Sequence, residues 1–219
     1  VLDHAGCEVL FVGKLDDWDA MKPGVPDSVR CISYPLSPSN DFESWDDIVS
    51  KYPPLEQNTQ RSEDELATIV YTSGSTGRPK GVMLSFGAMA YAARGGTEFL
   101  KVGTNERMLS YLPLAHVFER TFVELGSLYC GFHVFFAESL DTFVEDLRRA
   151  QPTLFLSVPR LWVKFQHGVL QKMPQKKLDK LLKIPVLRGV IKKKILQQLG
   201  LDKVKLAGSG SAPLSGDVL

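Results

Sequence analysis

The chain reads as an α/β protein whose mixed and parallel sheets are flanked by helices. Two observations predict this class. Short apolar runs alternate with segments whose apolar side chains recur every three or four positions, the pattern of strands joined through crossover helices. A length of 219 residues with 44% apolar and 23% charged side chains is that of an ordinary globular domain, able to bury roughly 70% of the surface exposed by its unfolded form.

The elements follow from local pattern. EVLFV (8–12) and VRCISY (29–34) are expected strands, separated by the polar, helix-compatible KLDDWDAM. From Pro35 to Arg61, Pro, Ser, Asn and Asp are frequent, so connecting structure is expected there, with one short helix at SWDDIVSKY (44–52). LATIVY (66–71) reads as a buried strand. A Gly- and hydroxyl-rich loop follows and, on this reading, leads into a helix over SFGAMAYAARGGTEFL (85–100), with Ser85 as its cap and Gly95 and Gly96 weakening its second half. ERMLSYLPL (106–114) is strand and turn, Phe118 to Cys130 a helix, and FHVFFA (132–137) a strand.

DTFVEDLRRA (141–150) is an expected helix with Asp141 as its cap and Phe143, Val144 and Leu147 on one face, followed by the strand TLFLSV (153–158). After Pro159 the series Leu161, Phe165 and Val169 is helical at i, i+4, i+8. Next come two short helices broken near Pro185, the second carrying Leu187, Ile191, Ile195 and Leu199 until Gly200 stops it. KVKLAGSGSAPLS (203–215) closes as strand and tight loop.

Composition excludes several classes. Cys7, Cys31 and Cys130 are odd in number and far apart, fitting neither a disulfide framework nor a C-x-x-C zinc site, so a reduced cytoplasmic setting is expected. The longest apolar run, TFVELGSLYCGFHVFFA, carries Glu124 and His133 and reads as core rather than as a bilayer span. The opening VLDHAGCEVLFVG lacks the basic start and apolar block of a signal peptide and is read as the interior of a longer polypeptide.

Charge is uneven. Between Lys172 and Lys205 eleven basic residues face only Asp179 and Asp202, a net +9 that leaves −8 for the rest of a chain whose total is +1. This segment is either a solvated helical face or a contact with an anionic membrane, with Leu181, Leu182, Ile184, Val186 and Leu187 supplying apolar groups. Nucleic acid is disfavoured, because no aromatic residues interleave the lysines.

YTSGSTGRPKG (71–81) carries the chemistry: glycines let backbone N–H groups approach an anion, hydroxyls add donors, and Lys80 supplies charge. A strand delivering such a loop into a helix suits phosphate. The spacing is not that of a Walker A loop, and no G-x-G-x-x-G is present, so simple NTPase and dinucleotide readings lose support. A Gly/Ser turn that merely connects two elements is the bland alternative. It fits less well where Ser73, Ser75, Thr76, Pro79 and Lys80 crowd into one run behind a strand.

YTSGSTGRPKG resembles the phosphate-binding signature of the adenylate-forming (AMP-binding) enzymes, which include acyl-CoA synthetases, beetle luciferases and nonribosomal adenylation domains. LPLAHVFER (112–120) is similar to their second core motif, and GSGSAPLS (208–215) to their small-residue loop against adenine. Within that superfamily PLAHVFER, and VPRLW (158–162) followed by a basic helical insertion over 172–200, look most like long-chain fatty acid–CoA ligases. The resemblance implies that residues 1–219 form the central part of a large N-terminal AMP-binding domain. It also implies attack of a fatty acid carboxylate on the α-phosphorus of ATP, then transfer of the acyl group from the adenylate to coenzyme A.

Carried over by position, Thr72, Ser73, Gly74, Ser75, Thr76, Gly77 and Lys80 would hold the β- and γ-phosphates. Thr76, Lys80 and His116 would be catalytic, His116 lying beside the acyl carboxylate and the α-phosphate, or else serving as an ordinary core histidine bonded to a carbonyl. Gly210, Ser211, Ala212 and Pro213 would pack on adenine and the acyl tunnel, unless they form only a turn. His4, His133 and His167 match no motif and receive no role. The family's Tyr-Gly-x-Thr-Glu segment with its Mg²⁺-binding glutamate, its ribose aspartate and its C-terminal domain with a catalytic lysine find no match in these residues. No metal ligand is therefore assigned, and the chain on its own is expected to be weakly active or inert. Two other functions fit the same motifs: a carboxylate adenylator that loads a carrier protein, and a non-catalytic nucleotide- or membrane-binding module.

Overall fold

The computed structural model describes residues 1–74, 77–216 and 218. It divides into two compact units, Val1–Gly87 and Ala88–Leu219.

In the first unit β1 (Val9–Val12) pairs in parallel with β2 (Arg30–Ser33), Val9 opposite Arg30. Val12 and Ile32 are buried, and the short helix α1 (Trp18–Met21) buries Trp18 edge-on to Phe42 at 6.0 Å. Helix α2 (Trp45–Lys51) lies within the expected SWDDIVSKY helix and is capped by Ser44, whose Oγ accepts the Asp47 N–H at 3.1 Å. Asp46 and Asp47 in its first turn and Lys51 in its last complement the helix dipole.

Strand β3 (Leu66–Thr72) does not run into a helix. It turns back into β4 (Lys80–Ser85), an antiparallel hairpin with Thr72 opposite Lys80 and Tyr71 opposite Gly81. Gly81 is required there, since a Cβ would approach Ile69 Cγ2 to 2.8 Å. The helix expected over 85–100 follows β4 as α3 (Phe86–Phe99), entered through Phe86 N–H to Glu65 O and Gly87 N–H to Glu63 O. The sequence expectation for β3 also fails in one respect: only Val70 of that strand is buried.

In the second unit β5 (Arg107–Ser110) pairs in parallel with β6 (His133–Phe136), and β7 (Leu154–Ser157) with β8 (Leu206–Ser209). The two pairs are tied at one corner, where the Thr153 N–H donates to Arg107 O and the Arg107 N–H to Thr153 Oγ1. Parallel strands need crossovers, and these are the helices. Residues 118–130 form a π-helical segment (Glu119–Leu125) continued by α4 (Gly126–Cys130), rather than one regular helix.

Of the apolar face expected on helix α5 (Phe143–Ala150), Phe143 and Leu147 are buried and Val144 is half-buried; Ala150 is buried as well. Its cap position is taken by Thr142, not Asp141; the Thr142 hydroxyl donates to Asp146 Oδ2 at 2.8 Å. At its other end Gln151 adopts a left-handed conformation, and its carbonyl accepts two N–H bonds from the Arg107 guanidinium.

Helix α6 (Pro159–Lys172) then buries Phe165. The basic region folds as α7 (Gln175–Leu182) and α8 (Pro185–Leu199), the latter stopped by Gly200 at φ +75°. The core gathers Leu109, Phe143, Leu147, Phe155, Phe165 and Leu201. Among the described residues no helix is long and apolar enough to cross a membrane.

Candidate functional site

The residues that the sequence singles out lie in two places, one in each unit. In the first, the hairpin between β3 and β4 holds Thr72, Ser73, Gly74, Gly77 and Lys80 at or beside its tip; Ser75 and Thr76 lie outside the described residues. The glycines are conformational requirements. Gly74 and Gly77 have φ of +62° and +77°, and a Cβ on Gly74 would meet the Arg78 carbonyl oxygen at 2.4 Å. Left-handed turn residues let successive main-chain N–H groups converge on an anion without a helix N-terminus. That replaces the helix-dipole argument, since β4 follows the loop. Thr72, Ser73 and Lys80 are exposed. His4, to which the sequence assigned no role, holds the base of the hairpin through Nδ1 to the Tyr71 hydroxyl at 2.6 Å.

In the second unit a cleft of about 190 Å³ opens at the C-terminal ends of β5, β7 and β8, where parallel α/β sheets place their ligands. It brings together His116, Gly210 and Ser211, three of the residues singled out by motif. Ala212 and Pro213 continue past it and are exposed. Its lining also includes Phe118, from the LPLAHVFER motif, and Tyr111 and Ser157, which lie in no motif. Tyr111 and Ser157 are far apart in sequence and meet because β5 and β7 share one sheet end. The Tyr111 hydroxyl donates to Ser157 Oγ at 2.9 Å and lies 3.2 Å from the Leu156 carbonyl oxygen.

The loop geometry of the cleft is fixed by several contacts. The Gly210 N–H donates to Ser157 O, Ser211 is left-handed at φ +69°, and Trp162 Nε1–H from α6 donates to the Gly208 carbonyl at 3.3 Å. His116 is half-buried and accepts the Phe118 N–H on Nδ1 at 3.3 Å, so in the neutral ring the proton sits on Nε2. It is therefore a cleft-lining side chain and not a core histidine bonded to a carbonyl.

Behind His116 the π-helical turn buries Glu119 to 1% exposure. Burial pushes its carboxyl up from the usual carboxylate range, against the Ser110 hydroxyl, the Leu112 and Tyr111 N–H groups and the His116 ring, which favour the charged form. Its Oε1 has no hydrogen-bond partner among the described residues. Burial also pushes the Tyr111 phenol up, opposed by Ser157 and reinforced by the negative charge of Glu119. The sequence signal for Glu119 was its place inside HVFER. A charged residue in an otherwise apolar run must be either exposed or held by polar partners.

Residues 1–219 match the family of AMP-binding enzymes over their whole length. The chain belongs to that family. As an AMP-binding enzyme chain it is 32% identical over 183 residues to fatty acyl-CoA synthetase B of Dictyostelium discoideum, covering 74% of this chain and 27% of that protein. It is 33% identical over 175 residues to the peroxisomal long chain acyl-CoA synthetase 7 of Arabidopsis thaliana, covering 71% and 25%. The chain thus spans about a quarter of the length of these relatives.

Its fold is that of adenylation domains. The adenylation domain of the carboxylate reductase from Mycobacterium chelonae superposes with a TM-score of 0.75 at 21% identity, over 99% of this chain and 38% of that one. A red-emitting luciferase from Phrixothrix hirtus gives 0.67 at 17% identity, over 99% and 39%. This AMP-binding enzyme chain is therefore an adenylate-forming α/β fold with acyl-CoA synthetase relatives.

Proposed function

We propose that the protein carrying this chain is an acid–thiol ligase that activates a long-chain fatty acid with ATP and passes the acyl group to coenzyme A. The observation that carries this reading is the cleft in which His116, Gly210 and Ser211 converge, in a chain about 30% identical to long-chain acyl-CoA synthetases. In the first step a carboxylate oxygen bonds to the α-phosphorus of ATP and the bond to the bridging oxygen breaks, releasing pyrophosphate. In the second the thiol sulfur attacks the acyl carbon, and AMP leaves.

The hairpin from Thr72 to Lys80 takes the β- and γ-phosphates, with Thr76 and Lys80 contributing most because the step builds charge on phosphoryl oxygens. His116 offers an N–H donor beside the reacting carboxylate and α-phosphate. Gly210, Ser211, Ala212 and Pro213 take the adenine and the start of the acyl chain. Among the described residues no cluster of three His, Cys, Asp or Glu could hold a metal ion, so no Mg²⁺ ligand is assigned within the chain and no step is routed through one.

Residues 1–219 serve as the central part of the large AMP-binding domain, with 172–200 as a basic insertion. The protein works in the cytoplasm, at an anionic membrane that α7 and α8 contact from its inner face. Val186, Val190 and Leu196 are exposed among the lysines of α8, which supports this contact.

The test is exchange of pyrophosphate into ATP by the full-length protein, driven by palmitate. Palmitate-dependent exchange, with palmitoyl hydroxamate formed on adding hydroxylamine, is expected. No exchange with any carboxylate would retire the enzyme reading in favour of a binding module.

A further inference from the structure

A second cavity, of about 460 Å³, lies between α5, α6 and α8, all in the second unit. It shares no lining residue with the reaction cleft. Its walls are apolar, with Phe165 and Val169 from α6 and Ile191 and Ile195 from α8. Its volume falls in the range of small-molecule sites, about 300–1,000 Å³.

The charge around it is one-sided. Arg148, Lys164, Lys172 and Lys194 line the cavity, and no Asp or Glu does. Some Lys and Arg elsewhere on the chain sit against carboxylates, as Lys51 and Arg30 do with Glu43 and Lys205 with Glu106. Among the described residues Lys164, Lys172 and Lys194 form no ion pair, and the Arg148 Nε donates to the Gln198 carbonyl. Lysine stems often cover apolar surface. A rim whose charged groups are all cationic, over an apolar hollow, suits a ligand with an anionic head and an apolar tail.

We infer that the α5–α6–α8 cavity is a second binding site for a long-chain fatty acid, its chain on Phe165, Val169, Ile191 and Ile195 and its carboxylate against Lys164 and Lys194. The site is separate from the cleft of His116 and needs neither ATP nor chemistry. It would hold a fatty acid away from the reacting centre, on the same helix whose outer face carries the exposed apolar groups of α8. The inference stands on the cavity alone, so its failure and the failure of the ligase reading are distinguishable: the readout below is binding without nucleotide.

The experiment uses the full-length protein without nucleotide and a 16-carbon fatty acid bearing a photoreactive diazirine, with labelled peptides mapped. Palmitate and hexadecanol affinities are then compared in wild type and in the double variant Lys164→Glu, Lys194→Glu. Both lysines are exposed, so their replacement removes no core contact; Lys164→Gln, Lys194→Gln provides a milder second pair. Expected are labels within 161–173 and 191–199, palmitate binding weakened about tenfold by charge reversal, and hexadecanol binding unchanged. Labels confined to 111–118 and 208–211, or equal loss of both ligands, or no change for either, would overturn the site.

Discussion

Removing the Phe155 ring should unfasten the second unit and its cleft together. Phe155 is 1% exposed, and its ring centroid lies 5.3 Å from Trp162, 6.2 Å from Phe165 and 6.3 Å from Tyr111. Burying a phenyl ring removes roughly 150–250 Å² from water, worth about 4–6 kcal/mol at ~25 cal/mol/Å² as an upper estimate. Core Phe→Ala substitutions lose about 3–5 kcal/mol. The two figures overlap near 4 kcal/mol, a large part of the about 5–15 kcal/mol that holds a domain folded. Tyr111 lines the cleft and Trp162 anchors the Gly208 carbonyl, so the loss reaches the site.

The assay is urea unfolding followed by Trp162 fluorescence in a chain carrying Trp18→Phe and Trp45→Phe, so that the signal reports the second unit alone. Phe155→Ala should lower the extrapolated stability by about 4 kcal/mol, or leave no folded baseline. A loss under about 1.5 kcal/mol, the scale of a tolerated core swap, would refute the claim that this ring is the hub.

Other expectations follow from single positions. Gly200 ends α8 at φ +75°, and a Cβ there would lie 2.5 Å from Leu147 C and Arg148 N. Gly200→Ala should therefore lose at least about 1–3 kcal/mol, read as a fall in the melting temperature of about 2–4 °C per kcal/mol. Asp146 is held below the usual carboxylate range by the Thr142 hydroxyl and then by the Glu138 N–H. Its stabilisation is present above its unfolded pKa of 3.8 and lost as pH falls through the depressed folded value, so Asp146→Asn should flatten the acid limb of the stability profile. Glu119 has the opposite sign: its raised pKa lets the fold lose stability as pH rises from 4.5 through the raised value. Glu119→Gln should lose less stability than wild type over that interval, measured by thermal unfolding at stepped pH. Binding to phosphatidylserine vesicles through α7 and α8 should be released by salt; salt-independent binding, or none, would remove the membrane contact.

Much of this was legible in the sequence, for physical reasons. Strands β1, β2 and β5–β8 are apolar runs bounded by turn residues, and α5, α6 and the stop at Gly200 follow from periodicity and from a glycine able to take positive φ. Strand β4 was not legible. Lys80 and Gly81 belong to the polar motif, Val82 and Met83 are exposed, and the segment becomes a strand because β3 lies opposite it, a fact absent from its own pattern. Asp141 was displaced as cap because Thr142 can bond Asp146 one turn along α5. His116, Gly210 and Ser211 were visible as motif residues. Tyr111 and Ser157 were not, because their meeting depends on sheet topology, and Glu119 was hidden because its burial depends on a π-helical turn that no periodicity announces.

The proposed ligase reading requires that the hairpin from Thr72 to Lys80 grip the phosphate tail of ATP. Calorimetric affinities of the full-length protein for ATP and for AMP, in wild type and in the double variant Thr76→Ala, Lys80→Ala, test it directly. The variant is expected to lose its preference for ATP over AMP while its AMP affinity stays as in wild type. An undiminished ATP preference, or an equal loss for both nucleotides, would contradict it.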